Sequence, residues 1–110
     1  MKRRATDAPE SPAVEDLAAV MAAIGDPQQL VAFLTDLCTP AELEALADRW
    51  SVVPLLAQGV PYRTIHERTG VSVTTVGRVA RCLDHGAGGY HAALAARGER
   101  HRDGARSATG

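Results

Sequence analysis

Residue types that stabilise secreted and membrane proteins are rare in this sequence. The 110-residue chain has two cysteines, and no apolar run approaches the roughly 18 residues of a membrane span. Cys38 and Cys82 stand alone, without a Cys-x-x-Cys pair, which favours reduced thiols over disulfides or a zinc site. The basic start, Met-Lys-Arg-Arg, is not followed by the apolar core of a signal peptide. We therefore expect a soluble, cytoplasmic protein that is not bound to a membrane.

Aromatic residues are also scarce, at 4% of the chain, although hydrophobic residues reach 45%. The length fits one domain, whose core would consist mainly of alanine, valine and leucine. A core of this kind in so small a domain buries only a modest apolar surface. We therefore expect further burial against a partner chain, and we expect Trp50 to lie in the core or at a dimer interface.

The arrangements typical of enzymes and metal sites are missing. The four histidines, His66, His85, His91 and His101, do not form a His-x3-His spacing with a carboxylate partner. There is no glycine-rich phosphate loop, no Ser/His/Asp order and no Cys-His pair. We expect a protein without enzymatic activity, bound metal or cofactor. We also expect Cys82 to be a buried packing residue rather than a redox sensor.

The net charge of −1 conceals an uneven distribution of charge. Residues 1–50 hold four lysines and arginines against nine acidic residues. Residues 60–85 and residues 86–110 each hold four arginines against two acidic residues. A basic region attached to an acidic one fits a module that binds a polyanion and is mounted on a scaffold.

Proline, glycine and capping residues divide the first half of the chain into predicted helices. The apolar spacing from Val14 to Ile24 predicts the first helix. Asp26 as N-cap and Pro27 at the first helical position predict the start of a second, which runs to about Leu37.

A third and longer helix is predicted by the same signals. Thr39 is its N-cap, Pro40 its first residue, and Glu42 the partner of Thr39 in a capping box. The helix should run to about Gln58. Pro54 lies inside it and predicts a kink, because proline lacks an N–H and clashes with the preceding turn.

The stretch from Tyr62 to Leu83 predicts two short helices that are joined at residues 69–72. In the second helix, four apolar residues form one face at positions i, i+3, i+4 and i+7: Val76, Val79, Ala80 and Leu83. The opposite face carries hydroxyls and cations that can reach base edges and phosphates: Thr74, Thr75, Arg78 and Arg81. Ile65 should face inward, Gly70 should adopt a positive φ in the turn, and Ser72 should cap the second helix. The pattern is typical of a helix-turn-helix, and we predict that it binds DNA.

The ends of the chain have no helical apolar spacing. Residues 84–89 (DHGAGG) predict a flexible break, after which residues 90–96 predict a last short helix. The first residues are polar and the last ones are charged and glycine-rich. We therefore predict a flexible arm over residues 1–12, a helical DNA-binding domain over residues 13–97 with its helix-turn-helix at about 61–84, and a disordered tail over residues 98–110.

A resemblance to a known family extends through the motif and the helices before it. It is carried by Leu37-Cys38-Thr39-Pro40, Glu42, Leu46, Arg49, Gly59, Ile65, Thr69-Gly70, Thr74-Thr75-Val76, Arg78-Val79, Cys82-Leu83 and Gly89-Tyr90. With these residues the chain resembles the Trp repressor superfamily, and more closely its small bacterial YerC/YecD branch of Trp-repressor-like proteins. The resemblance covers roughly residues 14–95. It implies an all-α fold of about six helices in an intertwined homodimer that binds operator DNA.

The resemblance also implies roles for individual residues. The base-facing start of the recognition helix consists of Ser72, Val73, Thr74 and Thr75. Arg63 and Thr64 fall where the first helix of the motif touches the DNA backbone. Arg78 belongs to the outward face of the recognition helix, and we expect Arg68 and Arg81 to contact phosphates with Arg63.

In the tryptophan-sensing members of the family, two arginines and a threonine contact the corepressor. Thr39, Arg49 and Arg78 occupy the equivalent positions here. Cys82, however, stands where those members carry a serine, and residues 84–86 also differ from theirs. The corepressor pocket is only partly present, so we do not expect tryptophan or another small molecule to be sensed.

The sequence therefore predicts a transcriptional regulator, a repressor, that binds a palindromic operator in double-stranded DNA as a homodimer. The alternative is a helical dimerisation or protein-interaction module that does not bind specific DNA. The small excess of cations in the motif and the acidic first half of the chain keep this alternative open.

Overall fold

Helices make up most of the described chain. The computed structural model describes residues 12–98, and in this range the backbone forms six helices and no strand. In chain order they are α1 (Pro12–Ala23), α2 (Pro27–Leu37), α3 (Pro40–Ala57), α4 (Tyr62–Thr69), α5 (Val73–His85) and α6 (residues 89–98). None of these helices is both long enough and apolar enough to cross a membrane. The predicted all-α fold of about six helices is confirmed.

The helix ends lie close to the predicted ones. α1 begins at Pro12 rather than Val14, because proline suits the first turn of a helix, where the N–H that it lacks has no partner. The predicted arm (residues 1–12) and the predicted tail (residues 98–110) lie outside the described residues, except for Pro12 and Gly98, which are helical.

Asp26 and Thr39 cap helices as the sequence predicts. The Gln28 amide donates to Asp26 Oδ1 at 3.3 Å, and Pro27 opens α2. Thr39 and Glu42 form a reciprocal capping box: the Thr39 amide donates to Glu42 Oε1 at 2.8 Å, and the Glu42 amide donates to Thr39 Oγ1 at 3.1 Å. Each cap satisfies an amide that the helix itself cannot, and a cap of this kind typically stabilises by about 1 kcal/mol.

The last turn of α3 ends in a Schellman motif. α3 continues through Pro54, and its end at Ala57 lies one residue before the predicted end. The Gly59 amide donates to the Leu56 carbonyl and the Val60 amide to the Leu55 carbonyl, both at 3.0 Å. Gly59 has a φ of +82°, a left-handed conformation that this motif requires and that glycine adopts without strain.

The chain divides into two compact units between Leu43 and Glu44. The first unit contains α1 and α2, and neither helix has a buried residue. Several of their apolar side chains are largely exposed, among them Val31 (59%) and Leu37 (50%). Soluble helices normally bury such side chains along one face, so the apolar faces of these two helices remain available for burial.

The second unit contains the buried core. Val52 and Val53 of α3, Ile65 of α4, and Val76 and Val79 of α5 are at most 1% exposed. Full burial of a side chain of this size stabilises by about 1.5–3 kcal/mol, so this cluster holds α4 and α5 against the second half of α3. Partly buried side chains complete the cluster, including Trp50, Leu83, Tyr90 and Leu94. Trp50 therefore packs against the core. The core was one of the two locations that the sequence predicted for it, the other being a dimer interface.

Candidate nucleic-acid interface

The turn between α4 and α5 has the predicted geometry. Gly70 ends α4 with a φ of +79°, and its amide donates to the His66 carbonyl at 2.8 Å. Side chains other than glycine are strained in this left-handed region, which explains the residue type at this position. Val71 follows and is only 6% exposed, so the turn is anchored in the core before α5 begins.

Ser72 caps α5 and also binds the side chain of Thr75. The Thr75 amide donates to Ser72 Oγ at 3.1 Å, and the Ser72 hydroxyl donates to Thr75 Oγ1 at 3.0 Å. A hydroxyl has one proton to donate, and Ser72 uses it in this bond, whereas Thr75 keeps its own. The two residues thus have different roles: Ser72 is the N-cap of α5, and the hydroxyl of Thr75 remains able to donate a hydrogen bond.

The two faces of α5 separate apolar from polar side chains. Val76, Val79 and Ala80 are buried as predicted. On the other side, the exposed residues are Val73, Thr74, Arg78 and Arg81, with Thr75 half-buried. α5 packs against α4, whose Ile65 belongs to the same core. This is the geometry of a helix-turn-helix whose second helix presents a polar face to solvent.

An open groove of about 870 Å³ follows the exposed face of α5. Its lining includes Tyr62, Val73, Thr74, Gly77, Arg78 and Arg81. A Cβ on Gly77 would lie 3.9 Å from Cε2 of Tyr62, so the missing side chain leaves space beside the tyrosine ring. The groove therefore combines two cations, a hydroxyl and the carboxylate of Asp84 on α5 with the aromatic edge of Tyr62 on α4.

The predicted DNA-binding residues fall into two groups. Four of them line the groove: Val73, Thr74, Arg78 and Arg81. Ser72 and Thr75 lie at the start of the same helix, whereas Arg63, Thr64 and Arg68 belong to α4 and do not line the groove. Arg63 and Arg68 are exposed and Thr64 is half-buried, so both arginines are accessible to a polyanion.

The predicted corepressor residues are only partly brought together. Arg78 and Cys82 line the same groove, whereas Arg49, which is exposed on α3, is not part of that lining. Thr39 belongs to the first unit, where its hydroxyl accepts from the Glu42 amide. The expectation that Cys82 is buried is wrong: its side chain is exposed, because residue 82 lies on the groove side of α5 and not on the Val76–Val79 side.

Some residues of this region were missed from sequence alone. Tyr62 and Gly77 line the groove, and the available signal was a glycine inside a helix, where it costs about 1 kcal/mol relative to alanine. His66 and His91 bond to backbone carbonyls five and eight residues away, and no spacing rule pairs a ring with such carbonyls. Residues 12–98 contain no group of three or more histidines, cysteines and carboxylates that could hold a metal ion.

The fold and the exposed recognition helix define the class of protein: an all-α helix-turn-helix protein. A family model described as Trp repressor protein matches residues 13–97, and the chain belongs to the Trp repressor family. This is a family of DNA-binding regulators and not of enzymes, which confirms the prediction that the chain is not an enzyme.

Individual relatives agree with this assignment. The uncharacterized protein YerC of Bacillus subtilis (strain 168) is 41% identical over 69 residues, which are 63% of this chain and 66% of YerC. The chain thus spans slightly less than two thirds of that relative. The crystal structure of a TrpR-like protein from Eubacterium eligens ATCC 27750 matches with a TM-score of 0.74 and 32% identity, over 81% of this chain and 92% of that one. A putative Trp repressor from Staphylococcus aureus matches with a TM-score of 0.75 and 29% identity, over 81% and 89% of the two chains.

Proposed function

We propose that this protein is a sequence-specific transcriptional regulator, a repressor, that acts in the cytoplasm and binds a palindromic operator as a homodimer. The observation that carries the proposal is the separation of a buried apolar face from an exposed polar face on α5. Val76 and Val79 fix its inner face in the core, while Thr74, Arg78 and Arg81 stand exposed on its outer face. A rigid helix with donors on one side is what a major groove about 12 Å wide admits.

The first turn of α5 is the part that would read bases. Thr75 can donate its hydroxyl proton to an acceptor such as guanine N7 or O6, while Val73, which is 47% exposed, suits the methyl group of thymine. Arg78 lies further along the protein groove that Val73 also lines. Its guanidinium can donate two hydrogen bonds at once, to O6 and N7 of a guanine. Thr74 adds a second exposed hydroxyl.

The remaining cations would hold the DNA backbone. Arg63 and Arg68 are exposed on α4 and Arg81 on α5, and contacts of this kind position a protein on the duplex without specifying its sequence. Thr64 can add a hydroxyl from α4. Each neutralised phosphate releases counterions, so affinity should fall steeply with salt.

The homodimer accounts for the apolar faces of α1 and α2. These helices have no buried residue within the single chain, and Val31 and Leu37 are at least half exposed. Burying each such side chain would stabilise by about 1.5–3 kcal/mol relative to exposure. A second copy of the chain would bury them and would place a second α5 for the other half of a palindrome.

DNA selection from a random library tests this proposal, followed by fluorescence anisotropy on the enriched sequence. We expect Arg78→Ala and Thr75→Ala to weaken binding to the enriched site while circular dichroism shows an unchanged helix content. Heparin retention and binding to unrelated DNA serve as controls for charge alone. If selection enriches no sequence, or if both variants bind as tightly as the parent chain, the assignment is wrong.

The second candidate is a dimerisation or protein-interaction module without specific DNA binding. It is favoured by the exposed apolar side chains of α1 and α2 together with the acidic first half of the chain. Under this alternative the chain would self-associate but would not be retained on DNA at low salt. The same anisotropy series therefore separates the two functions.

A tryptophan response is not part of the proposal. Cys82 replaces the serine of the tryptophan-sensing members, and Arg49 does not line the groove that contains Arg78. A ligand at about 100 times its dissociation constant stabilises its protein by about 2.7 kcal/mol. We therefore expect millimolar tryptophan to leave the melting temperature unchanged, and a shift of several degrees would contradict this expectation.

A further inference from the structure

Both ends of α5 are attached to the rest of their unit by a histidine ring. At the first end, His66 Nδ1 lies 2.8 Å from the carbonyl oxygen of Val71, one residue before the N-cap Ser72. At the far end, His91 Nε2 lies 2.7 Å from the carbonyl oxygen of Leu83 in the last turn of α5. His66 belongs to α4 and His91 to α6, so each bond joins α5 to a different neighbour.

The chemistry of the acceptors fixes the proton on each ring. A backbone carbonyl can only accept a hydrogen bond, so the ring nitrogen that faces it must carry the hydrogen. Neutral His66 is therefore the Nδ1–H tautomer, and neutral His91 is the Nε2–H tautomer. The two rings use opposite nitrogens for the same task, which makes the two bonds chemically distinguishable.

The first attachment is reinforced by Thr69. The Thr69 hydroxyl donates to the Ile65 carbonyl at 2.7 Å, and the Val71 amide donates to Thr69 Oγ1 at 3.0 Å. With the His66 bond to the carbonyl of the same residue, both backbone polar groups of Val71 are held by side chains of α4. The segment that leads into α5 thus has little freedom to rotate.

In the second attachment, His91 binds the Leu83 carbonyl, which has no hydrogen-bond partner within α5 because it lies at the end of the helix. Leu83 lies among the last residues of α5, whose final four carbonyls have no following amide in the helix. At this C-terminus the Gly86 amide binds the Cys82 carbonyl at 2.8 Å, and His91 binds the next one. A donor at a helix C-terminus is favourable because the helix dipole is negative there.

From this geometry we propose that His66 and His91 are positioning residues that together set the orientation of α5 for base reading. The inference rests on the proposed function. α5 has 13 residues, which make a rod of about 20 Å at 1.5 Å per residue. A tilt of about 10° around one end would move the other end by about 3.5 Å, which exceeds the length of a hydrogen bond. Core packing of Val76 and Val79 fixes the inner face of α5, and the two histidine bonds add a restraint on tilt at each end.

Substitution by amides tests the proposal, because asparagine and glutamine place an N–H₂ donor near the positions of Nδ1 and Nε2, respectively. At position 66, His66→Asn should keep the bond to the Val71 carbonyl, whereas His66→Ala and His66→Gln should lose it. At position 91 the pattern reverses: His91→Gln should keep the bond to the Leu83 carbonyl, and His91→Ala and His91→Asn should lose it. Each set therefore serves as the control of the other.

The main readout is affinity for the selected DNA, measured at the same pH for the parent chain and all variants. We expect each variant that loses its bond to bind about fivefold more weakly, the factor that corresponds to one ordinary hydrogen bond. The matched amide should restore affinity to within twofold of the parent chain. Equal affinities for His66→Asn and His66→Ala, together with equal affinities for His91→Gln and His91→Asn, would overturn the proposal.

Two further measurements separate positioning from other roles. Nitrogen-15 spectra of the rings should show the Nδ1–H tautomer for His66 and the Nε2–H tautomer for His91, and the opposite tautomers would overturn the proposal. The slope of affinity against salt should be the same for parent and variants, since neither ring is proposed to contact phosphate. If the parent chain binds no specific DNA, the proposed function fails, and amide exchange at the two ends of α5 in the same variants then decides whether the attachments exist.

Discussion

Ser72 and Thr75 are joined by two hydrogen bonds, one to the Thr75 amide at 3.1 Å and one to its hydroxyl oxygen at 3.0 Å. The pair occupies the first turn of α5, so one serine both closes the helix and orients the neighbouring threonine. Because Ser72 supplies the proton in the hydroxyl–hydroxyl bond, the proton of Thr75 is left for another acceptor. A base edge in the major groove can be that acceptor under the proposed function.

Substitutions at Thr75 should separate shape from hydrogen bonding. Thr75→Val keeps the volume and loses the hydroxyl, so we expect specific DNA affinity to fall by about 1–3 kcal/mol, the usual discrimination of a good base contact. Thr75→Ser keeps the hydroxyl and should bind within about twofold of the parent chain. Anisotropy on the selected operator measures both, and equal affinities of the two variants would show that this hydroxyl does not read a base.

Two glycines of the motif should respond in opposite directions to alanine. At Gly77 the nearest atom to a new Cβ is 3.9 Å away, an ordinary contact, so Gly77→Ala should raise the free energy of unfolding by up to about 1 kcal/mol through helix propensity. At Gly70, with a φ of +79°, Gly70→Ala should lower it by about 1 kcal/mol or more. Denaturant titration of the three proteins measures both effects, and a destabilised Gly77→Ala would contradict the first.

Salt titration should distinguish backbone contacts from base contacts. Arg81→Ala and Arg63→Ala should weaken binding to all DNA sequences alike and reduce the slope of log affinity against log salt by about 1 each. Arg78→Ala should mainly reduce the ratio of specific to unrelated DNA affinity. Anisotropy at four or five salt concentrations supplies the slopes. A slope that is unchanged in Arg81→Ala would remove this residue from the phosphate contacts.

The apolar face of α2 provides a test of self-association. Leu37→Lys places a cation in the last turn, where the helix dipole favours it, so α2 itself should not be weakened. We expect this variant to sediment as a monomer at concentrations where the parent chain sediments as a dimer. Thr35→Lys adds the same charge at an exposed polar position of the same turn and should remain dimeric. Identical sedimentation of both variants would mean that this face is not the dimer interface.

Local signals in the sequence were sufficient for much of the fold. Asp26, Thr39, Gly70 and Ser72 cap helices or form turns through contacts with residues at most four positions away, so short patterns could predict them. The Val76–Val79–Ala80 face also follows from helical spacing alone. The family resemblance added the six-helix dimeric fold, and it added Arg63, Thr64, Val73 and the corepressor positions to the candidate site residues.

The contacts that were missed are not encoded in such patterns. The rings of His66 and His91 meet carbonyls whose position depends on how three helices pack, and the exposure of Cys82 depends on which side of α5 faces the core. Tyr62 lines the groove beside Gly77, a residue fifteen positions later in the chain. Tertiary packing decides each of these cases, and one sequence without its fold does not show it.

The absence of buried residues in α1 and α2 has a consequence for how a cell could use such a protein. If two chains must meet before these helices are covered, the amount of operator-competent species rises with the square of the chain concentration when chains are scarce, because pairing is bimolecular. A doubling of synthesis would then quadruple the active form. Control by expression level alone would be steeper than linear, without any bound effector.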